Sequence, residues 1–403
     1  MADPTPFIPY SLAEVTAEYL TEAFRTAGLL PHGSIVSFET RVIGEGAGFL
    51  GEVVRVEVAL TDNTAAAPTS LILKIPTALK NRDVGQTLGV YEREIRFYQE
   101  LAPHLNIRTP QHYFSSMEVV TDPAKVLKDL RTMHRMPMWL IRVLLPLINW
   151  INSKKVARYV LMIENLEGLR VGDQVAGCSR DDARLALSSM AQLHAQFWGN
   201  AAALSPYAWL IPLELAAKPA QMMFRTTLAP FKAANPWLTQ DQLALLEWLH
   251  QHYFSMVDAM MKRPATLLHG DFRLDNLCFD DAKGEVVLFD WQTLGIGAGA
   301  TDLGYFLSAA ITEDADVSET AALIEHYQAE LARCGVDVPL AALRWDYEIG
   351  LLSVLQRTVP AMFQDMLLLE GRGNKLIETW INRTLHKLRD VDPDRLLAEV
   401  PAG

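Results

Sequence analysis

The chain has little cysteine, no long apolar run and no excess of basic charge. Its 403 residues include only Cys178, Cys278 and Cys334, and no two of them form a Cys-x-x-Cys pair. This spacing argues against a disulfide framework or a zinc knuckle and is typical of a reducing compartment. Residues Met1–Tyr10 lack a basic region followed by an apolar core, so we expect no secretory signal and a cytoplasmic location.

The balance of charge limits the expected partners. The sequence has 36 Lys and Arg residues against 48 Asp and Glu residues, a formal net charge of −12. Such a surface repels the backbone of nucleic acids, and no nucleic-acid-binding signature offsets it. We therefore expect no nucleic-acid partner.

The hydrophobic pattern changes along the chain. Ser11 and Glu14 form a capping box that predicts a first helix. Alternating or compact apolar segments, typical of strands, follow at 35–60, 70–75 and 159–163. Beyond Asp181 helical spacing dominates. We predict an α+β fold with two lobes: residues 1–165 form a small lobe with an antiparallel sheet plus a helix, and residues 166–403 form a larger, mainly helical lobe.

The most informative segment is a short loop followed by a predicted hairpin. The loop has the sequence LHGDFRLDN over residues 268–276, and Asp290 ends the hairpin. Phosphoryl transfer requires a carboxylate that orients the attacking hydroxyl, and oxygen ligands that hold Mg²⁺ against the phosphates. Asp271 suits the first role, whereas Asn276 and Asp290 suit the second. A lone His-Gly-Asp would more often be a turn with a capping Asp, but the complete set favours catalysis.

This set resembles the aminoglycoside-phosphotransferase and choline-kinase superfamily. HGDFRLDN, together with YEREIRFY at 91–98, is most similar to the ecdysteroid-kinase-like branch. The resemblance covers residues 41–306 and implies a bilobal protein-kinase-like fold and an ATP- and Mg²⁺-dependent small-molecule kinase. It also implies that Arg273 contacts the γ-phosphate and that His269 and Asp302 support the catalytic loop.

A glycine-rich segment is a candidate for covering the nucleotide phosphates. Gly46, Gly48 and Gly51 form a GxGxxGxV pattern, and an alternating segment follows them. Kinases have a strand at this place, whereas dinucleotide-binding folds need a helix there. Glycines also close ordinary tight hairpins, so both interpretations stay open.

Two further segments are predicted to bind the nucleotide. Lys74 lies in an apolar strand, where an unpaired charge is costly. In kinases of the resembled class such a lysine contacts the α- and β-phosphates and a helix glutamate, here Glu94, holds it. A surface lysine, and Glu92 in place of Glu94, are the alternatives. Met162 to Asn165 resembles the segment whose backbone binds adenine, with Glu164 as the preferred position and a structural strand end as the alternative.

One segment is unusual in charge and hydropathy. Residues 125–158 carry a local charge of +7, and within them residues 136–151 are mostly apolar and include Trp139 and Trp150. This run is too short to span a hydrocarbon core, which needs about 20 apolar residues. An apolar flap over the substrate, an interfacial anchor on anionic lipid and a dimerisation surface all remain open.

The acceptor is less well defined than the chemistry. Apolar and aromatic residues beyond position 307 suit a lipophilic hydroxyl acceptor, steroid-like or hydroxyacyl, but core helices contain the same residues. A polycationic aminoglycoside would need a dense acidic pocket near Asp271 and is less favoured. A non-catalytic nucleotide-binding scaffold is the alternative from another class, and the intact set of Asp271, Asn276 and Asp290 argues against it.

Overall fold

The first part of the chain folds into an antiparallel sheet. The computed structural model describes residues 7–43, 51–61, 67–76, 89–119, 122–144, 157–312, 317–362 and 372–402. Five strands form this sheet: β1 (Ile35–Ile43), β2 (Gly51–Leu60), β3 (Ser70–Pro76), β4 (His112–Met117) and β5 (Tyr159–Glu164). Their spatial order is β1-β2-β3-β5-β4.

The two faces of the sheet pack against different helices. Val54 and Leu73 belong to the hydrophobic cluster shared with α1 (Ala17–Thr26). Ile72 belongs to the cluster shared with α2 (Val90–Arg96). Because side chains alternate along a strand, Lys74 lies on the same face as Ile72 and is directed toward α2.

The first helix begins later than the capping box predicts. Thr16 caps it, since its hydroxyl accepts a hydrogen bond from the Tyr19 N–H at 3.1 Å. Ser11 makes no capping bond and precedes a separate short turn, while the Glu14 carboxylate accepts from the Tyr10 N–H at 2.7 Å. A Ser-x-x-Glu pattern also fits such a turn, which explains the difference.

Helices dominate the rest of the described chain. One helix, α3 (Pro123–Arg135), lies between β4 and β5. The helices after β5 are α4 (Arg180–Ala195), α5 (Ala217–Ala234), α6 (Gln240–Met261), α7 (Ala300–Ala309), α8 (Val317–Arg333), α9 (Leu340–Ala361), α10 (Arg372–Lys387) and α11 (Pro393–Ala398). This arrangement confirms the predicted α+β fold class, whereas the lobe boundary at residue 165 stays a prediction.

Two small sheets support the loop that the sequence singles out. The first consists of β6 (Arg170–Val171), β8 (Leu277–Asp280) and β9 (Glu285–Leu288), and the second of β7 (Ala265–Leu268) and β10 (Gly295–Ala298). The predicted hairpin is therefore confirmed as β8–β9. The Phe289 N–H donates to the Asn276 carbonyl at 3.1 Å, which joins the two ends of the hairpin.

The basic segment between β4 and β5 is helical where it is described. After α3, residues 138–144 are again helical. The Lys218 ammonium of α5 donates to the Met136 carbonyl at 2.6 Å, so the segment contacts the helical part of the molecule. Among the described residues, none of the helices has the length and apolarity needed to cross a bilayer.

Helices α7 and α9 cross with their backbones in contact. A Cβ atom on Gly304 would lie 2.4 Å from the Gly350 carbonyl carbon, and one on Gly350 would lie 2.3 Å from the Ala300 oxygen. No side chain fits at this crossing. It sets the distance between the residues of α7 and those of α9 that approach the loop after β7.

The variant Gly304→Ala tests this crossing. We expect the added methyl to push the helices apart and to lower the free energy of unfolding by about 1–3 kcal/mol, the usual cost of overpacking. Urea unfolding followed by circular dichroism measures the change. The control Arg344→Ala, on a half-exposed side chain of α9, should change it by less than about 0.5 kcal/mol. Equal stability of the two variants would contradict the close crossing.

Candidate active site

A buried carboxylate holds the loop after β7 in place. Asp302 Oδ2 accepts the His269 N–H at 2.7 Å, and Oδ1 accepts the Gly270 N–H at 3.0 Å. His194 Nε2 lies 3.3 Å from the same Oδ2. Burial favours the neutral acid, but the contact with His194 and the backbone N–H groups outweigh it and lower the pKa of Asp302. The carboxylate therefore stays ionised and fixes the loop backbone.

The same loop is pinned to the connection between β9 and β10. His269 is fully buried, and its Nε2 lies 3.0 Å from the Phe289 carbonyl oxygen. Gly270 has φ = 80°, and a Cβ there would lie 2.2 Å from the Thr293 oxygen, so only glycine fits. These contacts agree with the supporting role predicted for His269 and Asp302, which stays a prediction as a statement about catalysis.

The Asp271 carboxylate accepts hydrogen bonds at both oxygens. Tyr305 donates its hydroxyl to Oδ1 at 2.7 Å, and the Asn276 amide donates to Oδ2 at 2.9 Å. Arg273 Nε lies 3.2 Å from Oδ2. Burial would raise the pKa of Asp271, but the Arg273 charge and the Tyr305 hydrogen bond outweigh it and hold the pKa below its ordinary value. Asp271 is therefore a carboxylate at neutral pH.

Arg273 is shared between two carboxylates. Besides Asp271, it contacts Asp275 Oδ2 at 2.7 Å, and Arg372 of α10 lies 2.8 Å from the other oxygen of Asp275. The Arg273 side chain is only 10% exposed. In this geometry it orients the catalytic candidate Asp271, and its predicted contact with the γ-phosphate stays a prediction.

Asn276 and Asp290 offer oxygen atoms suited to a cation. The side-chain nitrogen of Asn276, Nδ2, donates to Asp271. Its side-chain oxygen, Oδ1, makes no hydrogen bond within the described residues and suits a ligand. Asp290 has φ = 65°, a left-handed conformation that is costly for a residue with a Cβ and is concentrated at functional sites. Its Oδ1 is buried and, among the described residues, has no hydrogen-bond partner. A carboxylate and an amide oxygen are ligands that Mg²⁺ accepts alongside phosphate oxygens.

The protein alone does not build a complete metal cage in the part described. No group of three or more His, Cys, Asp or Glu side chains there could hold an ion. Mg²⁺ sites commonly use only one or two carboxylates together with substrate phosphates. The predicted metal ligands Asn276 and Asp290 therefore fit such a site, and their role stays a prediction.

Lys74 and Glu94 form the predicted ion pair. Lys74 Nζ lies 2.6 Å from Glu94 Oε1, and Gln292, two residues after Asp290, donates to Oε2 at 3.3 Å. Burial lowers the pKa of Lys74, but the charges of Glu94 and Asp290 outweigh it and the pKa is raised. Lys74 thus stays protonated beside Asp290. The competing candidate Glu92 pairs with Arg96 at 2.8 Å instead.

In the strand predicted to contact adenine, the side chains of Glu164 and Met162 already contact other parts of the protein. Arg108 lies 2.6 Å from Glu164, whose Oε2 also accepts the Gln111 N–H at 2.9 Å. The Met162 side chain is fully buried on the α1 face, opposite to Lys74. The backbone from Met162 to Glu164 is itself paired with β3 and β4, and the Glu164 N–H donates to the Gln111 carbonyl at 2.9 Å. The predicted adenine contact stays a prediction.

The phosphate-covering loop is described only at its end. Gly51 begins β2 and lies opposite Pro76 of β3. Gly46 and Gly48 lie outside the described residues, so their predicted role is not addressed by the structure.

Three residues join the site without having been singled out by the sequence. Tyr305 lies one helical turn after Asp302 on α7. This spacing places the two side chains on the same face of the helix and could have indicated Tyr305 from the sequence. Arg357 of α9 donates to the Gly270 carbonyl at 2.6 Å and stacks on the Tyr305 ring at 4.4 Å. His194, which looks like an ordinary helix histidine, lies between Asp302 and Tyr327.

Comparison with known families assigns the chain. Residues 55–336 match the phosphotransferase enzyme family, APH. The chain belongs to this family. Membership supports a small-molecule phosphotransferase and agrees with the resemblance to the wider superfamily.

Solved structures with a similar fold include several kinases. An aminoglycoside 2′-phosphotransferase in its GDP complex has 15% identity and a TM-score of 0.49, covering 91% of this chain and 98% of that one. A microcompartment-associated aminopropanol kinase has 14% identity and a TM-score of 0.48, covering 89% and 94%. An amicoumacin kinase has 15% identity and a TM-score of 0.48, covering 92% and 95%. At these low identities the family assignment rests on the match over residues 55–336.

One curated relative matches a short part of this phosphotransferase. Acyl-CoA dehydrogenase family member 10 of Mus musculus is 33% identical over 82 residues, which make up 20% of this chain and 7% of the mouse protein. The match therefore relates one segment of two proteins that differ greatly in length.

The variant Tyr305→Phe tests the electrostatic setting of Asp271. The variant removes a hydrogen bond that lowers the pKa of Asp271 and keeps the ring on which Arg357 stacks. With Asp271 in its predicted catalytic role, activity is lost as pH falls through the pKa of its carboxyl, so we expect the acid limb of the pH–rate profile to move to higher pH. Mg²⁺-dependent ATP hydrolysis measured across acidic pH checks this.

Tyr207→Phe serves as the control for this experiment. Tyr207 meets Trp209 edge to face and lies outside the site, so loss of its hydroxyl should leave the acid limb in place. A profile of Tyr305→Phe that superimposes on that of Tyr207→Phe would rule out the hydrogen bond as a determinant of the Asp271 pKa.

Proposed function

We propose that the protein transfers the γ-phosphate of ATP to a hydroxyl of a small organic molecule. The observation that carries this proposal is the position of the Lys74–Glu94 pair of the first sheet and helix, whose charges interact with Asp290 of the helical part. A lysine for phosphates and a carboxylate for a cation thus share one cleft. The ecdysteroid-kinase-like branch remains the predicted closest group, and a cytoplasmic location is part of the proposal.

Asp271 has the properties required of the residue that activates the acceptor. It is ionised, held at both oxygens and carried by a fixed loop. In the proposed reaction Asp271 takes the hydroxyl proton, a new bond forms between the acceptor oxygen and the γ-phosphorus, and the bond to the β-phosphate oxygen breaks to leave ADP. Lys74 would neutralise charge on the phosphates, and Arg273 would contribute through its contact with Asp271.

The residues present fit a magnesium site. Asn276 and Asp290 would hold the ion, because one offers an amide oxygen and the other a buried carboxylate oxygen that lacks a partner in the described structure. When bound, Mg²⁺ neutralises the negative charge of the β- and γ-phosphates. Asn276 also bonds to Asp271, so the same side chain would link the catalytic carboxylate to the ion.

The acceptor belongs to the proposal only as a class. A lipophilic hydroxyl compound, steroid-like or hydroxyacyl, is preferred to an aminoglycoside because the positive charges of Arg273 and Arg357 act on Asp271 and would repel a polycation. The mouse relative is named as an acyl-CoA dehydrogenase family member. This name is a further reason to test the hydroxyacyl compounds.

A screen of hydroxylated acceptors tests the proposal. Release of ADP from Mg²⁺–ATP is measured with sterols, hydroxy acids, choline and aminoglycosides. We expect Asp271→Asn to lower transfer at least about 100-fold, the usual contribution of a general base, while Mg²⁺–ATP still binds. Asp290→Asn should weaken the dependence of nucleotide binding on Mg²⁺.

The matched control is Asp281→Asn, since that side chain is 61% exposed in the β8–β9 turn. It should transfer phosphate like the wild type. Magnesium-independent nucleotide binding together with no transfer to any acceptor would instead support a non-catalytic scaffold.

A further inference from the structure

From the surroundings of Asp271 we propose that the acceptor carries an anionic group, such as a carboxylate, and that Arg357 binds it. This inference rests on the proposed function and narrows its substrate class. It begins from the position of Arg357 on α9, in a part of the chain that carries none of the kinase motifs.

Arg357 lies near enough to the catalytic candidate Asp271 for its charge to lower the pKa of that carboxyl, but it forms no direct ion pair. One of its N–H groups donates to the Gly270 carbonyl at 2.6 Å, and its guanidinium lies 4.4 Å from the centroid of the Tyr305 ring. Among the described residues it makes no other hydrogen bond and no ion pair with a carboxylate. Its remaining donors are therefore available to a ligand.

Two buried arginines of the same part of the chain do form ion pairs with carboxylates. Arg273 contacts Asp271 and Asp275, and Arg263 contacts Asp346 at 2.8 Å. A partly buried cation is costly without a partner. Arg357 forms no such ion pair within the described residues, so its remaining donors suit an anion supplied by a ligand.

The chemistry of a guanidinium selects the partner. Its planar set of donors matches the two oxygens of a carboxylate or of a phosphate group. The stacking on Tyr305 and the bond to Gly270 hold the plane in one orientation, so little side-chain entropy remains to be lost on binding. Tyr305 also donates its hydroxyl to Asp271 at 2.7 Å. The Tyr305 ring would therefore lie between the bound anion and the carboxylate that receives the hydroxyl proton.

Arg357 could instead stabilise the transferred phosphoryl group, and this alternative makes a different prediction. A contact with the phosphoryl group would benefit every acceptor equally. A contact with the acceptor would benefit only an acceptor that bears the anion. Acids and neutral amides of the same carbon skeleton therefore distinguish the two roles.

The experiment compares short hydroxy acids with the corresponding hydroxy amides. Both the kcat/KM for ADP release and the binding affinity in the presence of Mg²⁺–ADP are measured on the full chain. We expect the wild type to prefer the acid, and Arg357→Gln to lose that preference by roughly 10- to 100-fold, as for a lost charge-assisted hydrogen bond. Amide turnover should change much less. Arg357→Lys, which keeps the charge, should retain part of the preference.

Controls separate this inference from folding and from the proposed function. Arg344→Gln removes a charge from a half-exposed position of the same helix and should keep the acid preference, and thermal unfolding shows whether each variant is folded. Equal losses for acid and amide, or no acid preference in wild-type binding, would overturn the inference while the kinase assignment stands. Absence of Asp271-dependent ADP release with every acceptor would count against the proposed function itself.

A separate observation concerns the basic segment, for which we propose contact with an anionic membrane surface. Arg158 pairs with Glu118 at 3.7 Å. Five other basic side chains of the segment are exposed and, within the described structure, form no ion pairs: Lys125, Lys128, Arg131, Arg135 and Arg142. The first four lie along one side of α3. The exposed side chains of Trp139 (69%) and Val143 (67%) lie one turn apart in the adjacent helical residues 138–144.

Charge and apolarity together indicate the lipid. A cluster of four or more basic residues attracts anionic headgroups, each contributing about 1 kcal/mol near the surface. An exposed tryptophan suits the boundary between headgroups and acyl chains. The rest of the chain is strongly acidic, since the net charge is −12, so attraction would be confined to this surface.

Co-sedimentation with vesicles tests this second proposal. We expect the chain to pellet with phosphatidylserine-containing vesicles but not with pure phosphatidylcholine, and to be released by salt. Lys128→Glu with Arg131→Glu should abolish pelleting, and Trp139→Ala should weaken it. The charge-matched control, Lys262→Glu with Arg344→Glu, should pellet like the wild type. No pelleting, or a dimer in solution that the Lys128 and Arg131 changes dissociate, would overturn the membrane proposal.

Discussion

The candidate site depends on one buried carboxylate and two backbone N–H groups. Asp302 is inaccessible to solvent and accepts bonds from His269 and Gly270, so the loop that carries Asp271 is attached to α7 through its own main chain. A charged acceptor in a buried place forms short, strong bonds and tolerates little displacement. The loop is therefore as rigid as the helix that holds it, and the position of Asp271 follows from the position of α7.

The packing of α7 against α9 extends this constraint. The glycine pair at their crossing brings the backbones into contact. Tyr305 on one helix and Arg357 on the other can then meet face to face at 4.4 Å beside Asp271. A side chain at the crossing would push the helices apart. The glycines at the crossing therefore permit the contact between Tyr305 and Arg357.

The charges of the cleft are divided between its two sides. On the side proposed to bind the nucleotide, Lys74 is balanced by Glu94, and the charge of Asp290 raises the pKa of Lys74. On the side proposed to bind the acceptor, Asp271 is balanced by Arg273, while Arg357 forms no ion pair in the described residues. Among the described residues, Asp290 and Arg357 are the charged groups of the site that form no ion pair, and we propose that the first binds a cation and the second an anionic acceptor. This distribution disfavours a polycationic acceptor by like-charge repulsion.

The sequence alone determined the fold class, the loop and hairpin around Asp271 and the Lys74–Glu94 pair, because those features depend on local spacing. These patterns are an Asp and an Asn five residues apart, a hairpin, and a lysine in an apolar strand. Each can be recognised from neighbouring residues without knowledge of the tertiary structure. It did not determine the start of the first helix, where a capping pattern fits a short turn equally well. For Tyr305 it gave only the spacing of one helical turn from Asp302, and for Arg357 it gave no sign of a contact with the loop. Only the tertiary structure decided their roles, since Arg357 lies 87 residues from Gly270 along the chain, and only the crossing of α7 and α9 brings the two residues together at the loop.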